Sequence, residues 1–182
     1  MRKLIVFNQI SIDGYIADAA SDMSWAHRSD PEWNAFVAGN ASLDGELLFG
    51  RTTYEQMAAF WPTPIAAQQM PEVARGINAA PKLVFSRTLT TASWNNTRIV
   101  GGDIVAEVRK RKAEPGPLMV VMGSASIVAQ LAELVDEFQL VYNPIALGGG
   151  KAMFTGMRSR LPLALAGSRV FTNGNVLLTY TR

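Results

Sequence analysis

Cysteine is missing from this chain of 182 residues, and histidine occurs only once. The first absence rules out disulfide staples, zinc–thiolate sites and thiol nucleophiles. The second argues against a histidine metal cluster or a paired histidine relay. Charge of one sign is not in excess either. Seventeen basic and 15 acidic residues leave a formal net charge of +2, which is not the footprint of a nucleic-acid binder. The one basic run, Arg109-Lys110-Arg111-Lys112, follows Ile104, Val105 and Val108 at helical spacing. It reads as the solvated last turn of a helix, where cations suit the dipole. Long hydrophobic runs are lacking as well. The N-terminal MRKLIVFNQISIDGYIA has a basic start, but Leu4 to Phe7 is too short for a secretory core, and no span approaches the ~20 apolar residues of a membrane helix. The expectation is a cytoplasmic protein without membrane or nucleic-acid partners.

What is present points to a globular domain. With 48% hydrophobic and 18% charged residues, the length fits one domain over 1–182 with a sizeable core. Strand and helix patterns alternate. The β-rich 3–10 ends in the turn SIDG, and Asp30-Pro31 reads as an N-cap with proline at the first helical position. ELLFG (46–50) is a buried strand before a helix over 52–60. A proline-broken stretch and a short helix near 71–79 lead to the strand 82–86, and TRIVGG (97–102) leads to a helix over 103–112. A strand over 117–123 meets a helix over 124–134 with Ser124 as candidate cap. The alternating 136–147 precedes three glycines. Two final β-runs joined by Asn173-Gly174-Asn175 form a hairpin signal. The pattern predicts an α/β fold: a mostly parallel sheet covered by helices, with an antiparallel C-terminal hairpin.

Three strand ends share a design. LLFG leads into Arg51-Thr52-Thr53, LVFS into Arg87-Thr88, and VVMG into Ser124-Ala125-Ser126. In an open parallel sheet the carboxyl ends of the strands share one edge, and ligands bind in the crevice there. Two of these junctions begin helices, which offer free N–H groups and a positive dipole end, while Arg51 and Arg87 can fork onto phosphate oxygens. Small residues at 123–126 permit close backbone approach. The dinucleotide glycine fingerprint and the Walker A motif are both absent, so the expected ligand is an extended nucleotide gripped along its length.

The segments SIDGYIA, LLFGRTTYE, LVFSRTL, VMGSASIVAQL and DEFQLVYNPIALGGGKAMF resemble, in order and spacing, the dihydrofolate-reductase-like family. The likeness spans nearly the whole chain and is closer to the reductase domain of the riboflavin-biosynthesis deaminase-reductase. The resemblance implies a sheet of about eight strands with NADPH across its carboxyl edge. Gly50, Arg51, Thr52 and Thr53 would bind the pyrophosphate and nearby nicotinamide-side groups. Ser86 and Arg87 would face the adenosine 2′-phosphate, and Gly123, Ser124, Ala125, Ser126 and Ile127 would form the second cofactor turn. The implied activity is NADPH-dependent hydride transfer to a small nitrogen heterocycle, of the 5-amino-6-(5-phosphoribosylamino)uracil reductase or dihydrofolate reductase type. Relatives of the riboflavin type tend to pair, so a homodimer is expected.

On the substrate side, hydride transfer needs an electron-poor carbon held against the cofactor and a proton for its neighbour. A carboxyl group whose pKa burial raises toward neutrality suits the proton. Asp13, in SIDG, matches a recurrent motif of the riboflavin branch. Asp30 follows Trp25 at the interval resembling the folate enzymes' tryptophan and substrate acid. Each also has a structural reading, Asp13-Gly14 as a turn and Asp30 as an N-cap. Trp25 and Tyr54, with Trp33 and Phe36, are candidates to wall an aromatic slot; His27 lies in the same loop as Trp25, and Lys151, after the glycine triplet, reads as a lid residue or an exposed one. The chain departs from both branches: the stretch after Gly50 lacks the acidic and proline segment ending in arginine of the riboflavin reductases, and GSAS replaces the folate enzymes' consecutive glycines. A second reading stays open, a nucleotide-binding or sensor module without turnover on the same fold.

Overall fold

The structure is a computed structural model that describes residues 1–42 and 44–182. Its centre is one sheet, and the strands that enter it are short and β-branched or aromatic. They are β1 (Leu4–Ser11), β3 (Gly45–Gly50), β4 (Lys82–Phe85), β5 (Thr97–Val100), β6 (Leu118–Val121), β7 (Glu137–Asn143), β9 (Ala164–Val170) and β10 (Val176–Thr181). They lie in the order β5-β4-β3-β6-β1-β7-β10-β9. The first six run parallel, and β10 and β9 are antiparallel additions at one side. The expected eight-stranded, mostly parallel sheet with an antiparallel C-terminal hairpin is therefore the architecture found.

Among the described residues six α-helices cover the sheet: α1 (Pro31–Ala41), α2 (Arg51–Phe60), α3 (Pro64–Gln69), α4 (Pro71–Ala79), α5 (Ile104–Ala113) and α6 (Ala125–Leu131). Strand alternation sends successive side chains to opposite faces. Leu4, Val6, Ile10, Leu48, Leu83, Phe138 and Leu140 meet Val108 of α5 and Ile127, Val128 and Leu131 of α6. On the other face Phe49 and Val84 pack with Tyr54, Val73, Ile77 and Trp94, while Phe7, Val141 and Leu177 pack with Trp33, Phe36 and Phe171.

Several local expectations are corrected. The proline-broken stretch contains α3, because Pro64 and Pro71 each occupy a first-turn position, where the missing N–H costs nothing, and the Thr63 hydroxyl caps α3 by accepting from Ala66 N. The strand expected over 136–147 stops at Asn143, since Pro144 has no N–H to donate. A two-stranded ribbon, β2 (Tyr15–Ala17) with β8 (Lys151–Ala152), is too short to leave an alternating signature. The basic run is not a solvated face throughout. Arg111 bonds Glu107 and Glu46, and Glu46 also holds Arg2 at 2.8 Å. Lys112 is buried against Asp136 and the Leu134 carbonyl.

Two further features bear on stability and assembly. Lys82 is 1% exposed, and its ammonium donates to the carbonyls of Asn78, Ala80 and Asn95 and lies 4.5 Å from the centre of the Trp94 ring. No carboxylate faces it among the described residues, and burial lowers its pKa to about 8. At the sheet's outer edge, β9 is exposed at every residue but Gly167, with Leu165 60% and Val170 70% accessible. Among the described residues no helix is long and apolar enough to cross a membrane.

Candidate functional site

Because β4, β3 and β6 are adjacent and parallel, their carboxyl ends stand side by side. The three turns singled out in sequence therefore meet along one rim. Gly50 N donates to the Gly123 carbonyl at 3.0 Å, linking the β3 and β6 turns. Arg51 Nη1 donates to Thr88 Oγ1 at 2.9 Å, linking the β3 and β4 turns. A Cβ on Gly50 would lie 2.9 Å from Ser124 Oγ and 3.1 Å from Ile127 Cγ1, and one on Gly123 would lie 3.2 Å from Thr53 Oγ1. Gly123 also has φ of +121°, a conformation glycine alone adopts without strain. The Gly123–Ser124 peptide is cis.

The helix starts of the fold differ in a way that matters for an anion. α1, α3 and α5 are capped by the side chains of Asp30, Thr63 and Asp103. α2 begins at Gly50 and α6 at Ser124 without any side-chain cap, leaving first-turn N–H groups open. The expectation that Ser124 caps α6 is thus corrected: its hydroxyl is 2.8 Å from that of Ser126 instead. Arg51, Thr52 and Ser126 are exposed, Thr53, Ser124 and Ala125 half-buried, and Gly50, Gly123 and Ile127 buried. Beside them a cavity of about 400 Å³ opens between the ends of β4 and β5 and the starts of α5 and α6. Phe85 and Ile127 floor it, and Ser86 and Arg87 stand on its rim. Open N–H donors, glycine cradles and an arginine at a roomy cleft are what a dinucleotide's pyrophosphate and adenosine require, so these residues fit the cofactor that the resemblance implies.

The substrate-side candidates fare differently. Asp13 is exposed and saturated: Ser11 Oγ donates to it at 2.6 Å, Gly148 N at 2.7 Å and Leu147 N at 3.1 Å. The Ser11 and Gly148 bonds lead in lowering its pKa to about 2, the reverse of a carboxyl raised by burial. Asp13 is a clasp between the β1 end and the 144–150 loop. Asp30 caps α1 by accepting from Trp33 N at 3.0 Å and takes a second bond from Thr172 Oγ1. The Trp33 bond leads in lowering its pKa too. Neither acid is poised to deliver a proton near neutrality.

Tyr54 is corrected to a core residue. It is 2% exposed, packs with Phe49 and Trp94, and its hydroxyl accepts from Trp94 N. Trp33 is likewise buried against Phe36 and Phe171. Trp25 stays half-buried in a short 3₁₀ turn over Ser24–Ala26, tied through Nε1 to the Asp22 carbonyl. His27 and Lys151 are exposed.

Sequence reasoning missed Asn8. It is buried in the middle of the central strand, with Nδ2 donating to the Met122 carbonyl just before Gly123, and with Oδ1 unpartnered among the described residues. An asparagine inside LIVFNQIS, in a strand covered on both faces, was the available signal.

Comparison with known proteins follows this geometry. The chain is 28% identical over 181 residues to the uncharacterized protein YyaP of Bacillus subtilis (strain 168), covering 98% of this chain and 94% of that one. It superposes with a TM-score of 0.74 and 25% identity on a protein of Shewanella sp. PV-4 provisionally assigned to riboflavin biosynthesis, covering 99% and 98% of the two chains. Dihydrofolate reductase from Enterococcus faecalis, solved with NADP(H) and RAB-propyl, shares the fold at a TM-score of 0.63 and 13% identity, covering 99% and 96%. The model of the RibD C-terminal domain matches residues 2–177, and the protein belongs to that family.

Proposed function

We propose that the protein is an NADPH-dependent reductase that transfers hydride to a small nitrogen heterocycle of the aminouracil or pteridine kind. The observation that carries this reading is the convergence of the 50–53, 86–87 and 123–127 turns on one rim, with two uncapped helix starts beside a 400 Å³ cavity. When bound, the dihydronicotinamide supplies the hydride. The chain's own residues do the positioning. The first turns of α2 and α6, with Arg51, take the pyrophosphate. Arg87 takes the adenosine 2′-phosphate. Asn8 fixes the Met122 carbonyl and so the Gly123 turn, and Asp13 holds the 144–150 loop at the β1 end. The proton that follows hydride comes from solvent, since both acids are held ionised by hydrogen bonds.

The saturation of Asp13 and the lowered pKa of Asp30 favour a second reading, nucleotide binding without turnover. NADPH titration by fluorescence, followed by NADPH oxidation with reducible pteridines and aminouracils, separates the two. Oxidation in step with substrate supports the reductase, binding without oxidation supports the module, and no binding sinks both. We further propose that two copies pair through the outer edge of β9, which a strand paired only with β10 and carrying accessible Leu165 and Val170 invites.

A further inference from the structure

The cavity at the β4 and β5 ends carries two opposite charges. Arg87 lines one side and Asp103 the other, on loops that follow strands paired through Phe85 and Val100. Both are exposed, and among the described residues neither forms an ion pair with any group. The Asp103 carboxylate is half used. Its Oδ1 accepts both cap bonds of α5, from Val105 N at 2.8 Å and Ala106 N at 3.1 Å, while Oδ2 has no partner among the described residues.

A cation and a half-free carboxylate on one adenosine-sized cavity pull in opposite directions. Arg87 attracts a 2′-phosphate. Asp103 repels that dianion but accepts a hydrogen bond from an unmodified ribose hydroxyl, the chemistry by which acidic residues select the non-phosphorylated dinucleotide. Resting on the dinucleotide reading above, we propose that Asp103 is a specificity-determining residue: it offsets Arg87, so that the site accepts both NADH and NADPH and discriminates little between them.

The test is titration of NADH and NADPH, and of the fragments 5′-AMP and 2′,5′-ADP, into wild type and Asp103→Asn. Asparagine is as good an N-cap as aspartate, so α5 is kept, and circular dichroism with a melting curve checks it. Wild type is expected to prefer either dinucleotide by less than about tenfold. Removal of one exposed charge from the cavity wall is expected to shift the Kd ratio by about three- to tenfold toward NADPH, and the fragment ratio likewise toward 2′,5′-ADP. If both dinucleotides bind and neither ratio moves in the variant, Asp103 has no such role. A wild type that already favours NADPH by a hundredfold would also overturn it. If neither dinucleotide binds wild type, the cofactor reading fails and this inference with it.

Discussion

Gly50→Ala is the perturbation that most directly probes the shared rim. The Gly50 backbone, at φ −78° and ψ 160°, is an extended conformation open to any residue, so strain in the chain itself is not at issue. The added methyl would sit 2.9 Å from Ser124 Oγ, 3.1 Å from Ile127 Cγ1 and 3.5 Å from Ser124 N. Ser124 Oγ can rotate away. Ile127 of α6 is buried in the core, and the Ser124 carbonyl is held by Ile127 N and Val128 N, so the β3 and β6 turns must part by a few tenths of an ångström. Overpacking of this kind costs ~1–3 kcal/mol, and the lost freedom of the unfolded glycine offsets ~0.4–1 kcal/mol of it. A net cost of about 1–2 kcal/mol lowers Tm by roughly 2–8 °C in a chain of this size. The same displacement falls on the proposed pyrophosphate seat, so the NADPH Kd should rise about five- to thirtyfold. Fluorescence titration and a melting curve read both. Replacing Ser124 by glycine in the variant should recover part of each loss. Unchanged melting and unchanged NADPH affinity in Gly50→Ala would show that the two turns do not act as one seat.

Four other outcomes are expected. Arg87→Ala should weaken NADPH about tenfold, as loss of a charge-assisted hydrogen bond does, and leave NADH nearly unaffected; equal losses would remove Arg87 from the 2′-phosphate. Asp13 has a folded pKa below that of a free aspartate, so its stabilising bonds are complete above about pH 4 and lost as pH falls toward about 2. Asp13→Asn should flatten the urea midpoint over that interval and release the Leu147 and Gly148 amides to faster hydrogen exchange. Lys82 also binds its proton less tightly when folded, at about 8, so the unfolded chain holds more protons between about pH 8 and 10.5. Stability should therefore rise with pH across that window by up to about 3 kcal/mol relative to Lys82→Met, and parallel pH profiles would refute the depressed lysine. Light scattering should give twice the 19.8 kDa chain mass, with Leu165→Lys plus Val170→Lys giving the monomer; a wild-type monomer would rule out the β9 contact.

Much of the fold was legible because the strands are short apolar runs closed by turn chemistry. KLVFS and PLMVVMG each matched a strand within a residue or two, and Asp30-Pro31 marked a helix start that carries its cap bond. The joint placement of residues 50, 87 and 124 followed from one topological rule about parallel sheets. What was not legible depends on partners remote in sequence. Nothing local distinguishes Tyr54 as a core ring rather than a pocket wall, because Trp94, forty residues on, decides it. Asp13 looked like an acid awaiting burial, yet amides from the 144–150 loop saturate it. Arg111 and Lys112 looked solvated until Glu46 and Asp136, brought in by other strands, claimed them.

The order of the sheet has a consequence for biosynthesis. β1 precedes every other strand of this sheet in the chain, yet it sits in the interior between β6 and β7, with Leu4 opposite Met119 and Ile5 opposite Glu137. At ~5–20 residues per second, its neighbours emerge about 6–27 s later. Throughout that wait LIVF has neither neighbouring strand to pair with, so slow translation or a sparse chaperone supply should reduce soluble yield.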